Sequence, residues 1–88
     1  MKTEPVEIYS DASNFAVIRH PGRRFPGSLI QGDSLSILVD EARQLYEAVK
    51  KLGDEDIIAL AGMHKGNLED RLAEYERAMR EHGIPLPY

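Results

Sequence analysis

The residues best suited to binding a charged ligand lie in one short stretch near the N-terminus. Residues 20–27 contain two Pro-Gly steps, a pattern typical of a structured loop, and the loop carries Arg23 and Arg24. Guanidinium groups on a loop stiffened by prolines form a good fork for a carboxylate or phosphate. The same side chains could instead be a solvated hairpin tip or pair with acidic residues of a helix. We take Arg19, His20, Arg23 and Arg24 as candidate binding residues, with both interpretations open.

Ser34 is a second candidate for chemistry, because Gly32-Asp33-Ser34-Leu35 matches the Gly-Asp-Ser-Leu signature of a large hydrolase family. A serine nucleophile needs a base and a group that orients the base. The Asp-x-x-His pair that this family carries near its C-terminus does not occur, and 88 residues are too few for the family's five-stranded parallel sheet. We therefore expect Asp33 or Ser34 to cap a helix and rank a serine hydrolase third among the functions.

The remaining polar residues indicate neither a metal site nor a cofactor. The chain has no cysteine, which excludes disulfides, thiol catalysis and thiolate metal sites. His20, His64 and His82 fall on a loop, a helix stripe and a helix end, without metal-ligand spacing. We expect His64, on an apolar stripe, to be buried or partly buried. The many carboxylates are expected on solvated helix surfaces.

Charge and hydropathy exclude two classes of partner. The net charge is −4. Residues 1–32 hold four basic and three acidic side chains, whereas residues 33–88 hold seven and twelve. Such an acidic body argues against non-specific nucleic-acid binding, which depends on Lys and Arg. No segment approaches the roughly 18 apolar residues of a membrane span, and residues 1–5 do not resemble a secretion signal. We expect a cytoplasmic protein.

Three short apolar segments predict an N-terminal sheet over about residues 5–32. Val6–Tyr9 alternates with a period of two, Phe15–Arg19 is almost continuously apolar, and Ser28–Gln31 follows the proline loop. Asp11–Asn14 has the composition of a turn. The segments predict an antiparallel three-stranded meander with the second strand in the centre.

From Asp33 the apolar period becomes 3.6, which predicts a first helix over about residues 34–52. Its apolar residues form a single stripe: Leu35, Leu38, Val39, Ala42, Leu45, Tyr46, Val49 and Leu52. Gly53 is expected to stop the helix in the left-handed conformation.

A second helix is predicted over about residues 55–82, with a stripe of Ile57, Ala61, His64, Leu68, Leu72, Tyr75 and Met79. Gly62 and Gly66 leave open whether this is one helix or two, and the uninterrupted phase favours one. Residues 83–88 should be extended, and the tail with Tyr88 either docks on a partner or packs on its own core. The fold class is α+β: one domain, 1–88, with the antiparallel meander packed on a C-terminal antiparallel helical hairpin.

Some apolar residues lie off both stripes, namely Ile37, Ile58 and Met63. They cannot all face the same core, so some apolar surface should remain exposed. We expect a weak homodimer through the helical layer, or else coverage of this surface by the tail.

Three strings, at residues 19–27 (RHPGRRFPG), 30–35 (IQGDSL) and 82–88 (HGIPLPY), resemble a small bacterial family of uncharacterised proteins. The resemblance implies a free-standing bacterial cytoplasmic protein and assigns no catalytic residue. The leading hypothesis is a non-enzymatic macromolecular interaction module that binds a protein partner, of an immunity-like or regulatory kind. The alternative is a small-anion-binding protein that uses the Arg23-Arg24 loop.

Overall fold

The computed structural model describes all residues, Met1–Tyr88, and contains three strands followed by two helices. The elements are β1 (Glu7–Ser10), β2 (Val17–Arg19), β3 (Gly27–Ser28), α1 (Gly32–Lys50) and α2 (Glu55–Glu81). The chain divides into two compact units, Met1–Gln31 with the strands and Gly32–Tyr88 with the helices. The α+β class predicted from the sequence is confirmed. Neither helix has an apolar stretch of the length needed to cross a membrane.

The strands form one antiparallel sheet in the order β1-β2-β3, which confirms the predicted meander and its central strand. Ile8 pairs with Ile18, and the register shifts before Ser10 pairs with Val17. β2 is shorter than predicted, because the backbone N–H of Phe15 is bonded within the preceding turn, 3.0 Å from the carbonyl oxygen of Ala12. β3 has only two residues. Beyond it, the N–H of Leu29 still donates to the carbonyl oxygen of Ala16, the residue before β2, at 2.9 Å.

α1 begins two residues earlier than predicted, at Gly32, and ends at Lys50. The carboxylate of Asp33 accepts a hydrogen bond from the backbone N–H of Ser34 at 2.8 Å, so Asp33 satisfies a free donor of the first turn from inside the helix. After Lys50 the backbone tightens, because the N–H of Leu52 bonds to the carbonyl of Val49, three residues back, at 3.0 Å. Gly53 then adopts φ 77°, as expected for the left-handed stop.

α2 is one continuous helix, as its uninterrupted phase predicted. The carboxylate of Asp54 caps it by accepting from the N–H groups of Asp56 and Ile57, each at 3.1 Å. At the other end Gly83 has φ 67°. The N–H of Ile84 bonds back to Met79 at 2.9 Å, and that of Gly83 to Arg80 at 3.2 Å. This pair of bonds is a Schellman motif.

The core of the helical unit is narrow. Its buried apolar residues are Leu35, Val39, Ala42, Val49 and Leu72, with Leu68 and Tyr75 packed against them. The predicted α1 stripe is therefore divided: about half of it faces α2, whereas Leu38, Leu45 and Leu52 are 40%, 55% and 77% exposed. The side of the stripe that holds Leu38, Leu45 and Leu52 is therefore not covered by α2.

At two glycines of the helical unit, a tyrosine ring of the facing helix lies against the backbone. A Cβ atom on Gly32 would come closer than 3.0 Å to the ring of Tyr75, and one on Gly62 would lie 3.1 Å from Cε1 of Tyr46. Each tyrosine ring lies over the backbone of the facing helix at the position where a side chain is missing. These glycines allow the two helices to pack with an aromatic ring between them.

Candidate functional site

The helical hairpin has two unlike faces on either side of its core. One face is polar: Arg43 Nε is 2.8 Å from the carboxylate of Glu69, and Lys65 Nζ is 3.4 Å from it. The hydrogen bond from Arg43 lowers the pKa of Glu69, and Lys65 lowers it further. The ammonium groups of Lys50 and Lys65 lie 5.1 and 5.0 Å from the ring centre of Tyr46. The charged side chains named on this face are therefore paired with one another or with the Tyr46 ring.

The other face is an apolar groove, which we call the hairpin groove. It consists of two adjoining cavities of about 160 and 510 Å³ that share Leu45 and His64. Its main lining residues are Leu38, Leu45 and Val49 of α1 with Ile57, Leu60, His64 and Leu68 of α2. Several are well exposed, with Leu45 at 55%, Ile57 at 48% and Leu60 at 65%. The one carboxylate in the lining is that of Glu41.

His64 lies in this groove and is exposed, so the expectation that it would be buried is wrong. Leu38 and Leu45 belong to the predicted apolar stripe of α1, but both lie at the surface. The number of apolar residues did not distinguish them, because eight over about five turns is the usual density of an amphipathic helix. Of the residues off the stripes, Ile37 and Met63 are 60% and 64% exposed, whereas Ile58 is half-buried.

Two of the predicted binding residues, Arg19 and His20, lie together beside a shallow cavity of about 330 Å³ in the sheet unit. Arg19 pairs with Glu7, its partner across the β1–β2 ladder, and its Nε atom is buried without a hydrogen-bond partner. Nδ1 of His20 donates to the carbonyl of Pro21 at 2.9 Å. The guanidinium of Arg19 therefore forms a cross-strand ion pair with Glu7, and its Nε–H group remains without an acceptor.

Arg23 and Arg24 do not line this cavity and are exposed. The guanidinium carbon of Arg24 lies 5.2 Å from the ring centre of Phe25, in a cation–π contact within the loop. Neither arginine forms an ion pair with a carboxylate.

The fifth candidate, Tyr88, belongs to the helical unit. Its hydroxyl donates to the carboxylate of Glu76 at 3.0 Å, so the tail runs back along α2. Loss of hydration raises the pKa of Tyr88 to about 12, and the hydrogen bond to Glu76 adds to the effect. The tail thus packs on its own helix.

Ser34, the candidate nucleophile, lies half-buried in the first turn of α1. No histidine is hydrogen-bonded to it, and His82 is the C-terminal cap residue of α2. No group of three His, Asp or Glu side chains converges to ligate a metal ion.

Comparison with known proteins agrees with the resemblance to an uncharacterised family. A family model described as "Family of unknown function (DUF6959)" matches residues 1–88, the whole chain. No curated protein and no solved structure matches the chain. The chain therefore belongs to the family of unknown function DUF6959.

Proposed function

We propose that this protein is a non-enzymatic interaction module of the bacterial cytoplasm, and that it binds a protein partner through the hairpin groove. The observation that carries the proposal is the difference between the two faces of the hairpin. On the polar face, Arg43 and Lys65 form ion pairs with Glu69. Along the hairpin groove, by contrast, leucine and isoleucine side chains of both helices are about half exposed. Contiguous exposed apolar surface of this kind marks interaction sites on soluble proteins.

The energetics favour a partner that buries the groove. Burying a leucine or isoleucine side chain completely contributes about 1.5–3 kcal/mol. Leu45, Ile57 and Leu60 are each about half to two-thirds exposed, so covering each would contribute about 1–2 kcal/mol. Few polar groups would be desolvated, because the lining contains only His64 and Glu41 among titratable residues. Apolar grooves between helices commonly accept the apolar face of an amphipathic helix, so we expect a helical partner.

The acidic character of the chain suggests the biological setting. Residues 33–88 carry seven basic and twelve acidic side chains, a balance of −5. Several of the basic residues are already engaged in ion pairs within the hairpin, Arg43, Lys50, Lys65 and Arg77 among them. The unpaired charge is therefore mostly negative, which suits an immunity-like or regulatory protein that engages a basic partner.

A paired substitution tests this proposal. Leu60→Lys places a charge in the groove, and Ile37→Lys places the same charge at a residue of similar exposure, 60% against 65%, that lies outside the groove. The full-length protein and the two variants would each be tagged and used to capture partners from a bacterial host. A second tag on the host's own copy of the chain would distinguish self-association from capture of another protein. Each captured protein would then be purified and its Kd measured.

We expect binding by the unsubstituted chain and by Ile37→Lys, and a loss of about tenfold or more in affinity for Leu60→Lys. Equal binding by all three proteins, or no reconstituted binding at all, would contradict the proposal. Thermal melts of both variants would show that the hairpin still folds.

A second candidate function, small-anion binding, is favoured by one specific observation, the unpaired Nε of Arg19 beside the sheet-unit cavity. His20 lines the same cavity, and Lys2 lines an adjoining one. These residues, rather than the Arg23-Arg24 loop, would hold the anion. Glu7 already neutralises Arg19, so we expect weak binding and rank this function second.

Calorimetric titration with phosphate and with acetate tests the second candidate. We expect binding, if this function is correct, to be abolished by Arg19→Gln and to survive Arg24→Gln, since Arg24 lies outside the cavity. No heat with either anion would exclude it.

A further inference from the structure

We infer that the hairpin groove is sensitive to pH, and that protonation of His64 weakens the binding of an apolar occupant. This inference rests on the proposed function and concerns the regulation of the same surface. His64 is exposed and lines both cavities of the groove. An occupant of either cavity therefore meets the imidazole ring, whatever its position along the groove.

The imidazole of His64 shares the groove with aliphatic side chains, among them Leu45, Leu60 and Leu68. A partner that covers these side chains also removes water from the ring. An ionised group that loses its hydration carries a large cost unless an opposite charge replaces the water, whereas a neutral polar group carries a much smaller one. The groove should therefore close over the neutral form of His64 and resist closing over the protonated form.

The charged groups around His64 do not compensate a positive charge on its ring. α1 is the helix packed against α2, and it contributes one carboxylate to the lining, that of Glu41. Glu41 forms no ion pair with His64. On α2 itself, the ammonium of Lys65 lies over the Tyr46 ring and pairs with Glu69 on the polar face. An occupied groove would thus hold a protonated imidazole without an acidic partner.

The charge of the proposed partner acts in the same direction. A basic protein in the groove would be repelled by a protonated His64, and this repulsion adds to the loss of hydration. Histidine side chains have an ordinary pKa of about 6.5. An occupant that binds only the neutral form should therefore bind about fourfold more weakly at pH 6.0 than at pH 8.0. The chain stays above its isoelectric point of about 5.3 over this range.

Binding of the fluorescent probe N-phenyl-1-naphthylamine to the full chain, at pH 6.0 and pH 8.0, tests the inference. The probe is apolar and uncharged at both pH values, so a change in its Kd reports a change in the protein. His64→Gln removes the titrating group and keeps a polar side chain. His82→Gln is the matched control, because His82 is the C-terminal cap residue of α2 and does not line the groove.

We expect the Kd of the unsubstituted chain and of His82→Gln to rise about fourfold from pH 8.0 to pH 6.0, and that of His64→Gln to stay constant. A Kd of the unsubstituted chain that ignores pH or falls toward pH 6.0 would overturn the inference. So would a pH dependence that persists in His64→Gln. Circular dichroism at both pH values shows that each variant is folded.

The same probe separates this inference from the proposed function. Binding that Leu60→Lys weakens and Ile37→Lys does not, at a Kd independent of pH, refutes the role of His64 and retains the groove as a binding surface. A chain that binds no probe at either pH, or whose binding ignores both lysine substitutions, counts against the groove and the pH dependence together.

Discussion

Replacing Gly32 by alanine should destabilise the protein, although the same change in a helix ordinarily stabilises it. The added methyl group would come closer than 3.0 Å to the ring of Tyr75. Carbon atoms in contact prefer about 3.5–4.0 Å, so the ring must leave its position. Tyr75 is half-buried and packs against the core of Leu35, Val39 and Leu72. The substitution therefore removes packing from the core.

The magnitude follows from two opposing contributions. The helix preference of alanine over glycine contributes at most about 0.5–1 kcal/mol. Truncating a fully buried large aromatic residue costs about 3–5 kcal/mol, so displacing the half-buried Tyr75 should cost about 1.5–2.5 kcal/mol. The net loss is about 1 kcal/mol, which lowers the Tm of a domain of this size by about 4–8 °C.

Thermal and urea unfolding of a small set of variants checks this prediction. Gly66→Ala is the matched control, because a Cβ on Gly66 meets no atom within 4 Å. It should raise stability by about 0.5–1 kcal/mol. In a Tyr75→Ala background, Gly32→Ala should no longer destabilise. The reasoning is refuted if Gly32→Ala stabilises the protein as Gly66→Ala does, or if its cost persists without the Tyr75 ring.

Two further predictions concern residues chosen from the sequence. The pKa of Tyr88 is raised from 10 to about 12. The contribution of the Tyr88 hydroxyl to stability is therefore complete below about pH 10 and lost as pH rises through 12. Tyr88→Phe should abolish the latest phenolate step in an absorbance titration. An unchanged titration would contradict the contact of Tyr88 with Glu76. Arg23 and Arg24 are exposed and have no carboxylate partners. Replacing both by alanine should therefore change the free energy of unfolding, measured in urea, by no more than about 0.5 kcal/mol. A clearly larger loss of stability would show that the two arginines have a structural role.

The helices were predictable because their signals are local. The stop at Gly53 and the phase of α2 through two glycines each depend on a few neighbouring residues, and the structure has both. The strand ends were less predictable, because they depend on the partner strand. The register shift at Ser10 and the turn that holds Phe15 determine where β2 begins, and neither follows from the composition of β2.

The candidate surface was predictable only in part. The sequence indicated that apolar residues would remain exposed on the helices, and Ile37 and Met63 are exposed. The groove itself involves Leu45 and His64, which share the helical phase of the core. Phase alone gives the direction of a side chain and not how far the opposing helix extends over it. Tertiary packing therefore decides which residues of the α1 stripe are buried and which stay at the surface.

The narrow core of α2 has a consequence for where the chain opens first. Of the 27 residues of α2 only Leu72 is buried, and Gly62 and Gly66 lie in the half that borders the groove. Amide hydrogens there should exchange with solvent through local opening, well before those near Leu72, which need the core to separate. An occupant of the groove would close that half and slow its exchange selectively. The hairpin groove is thus expected to border the least protected segment of α2, so that exchange rates would report its occupancy residue by residue.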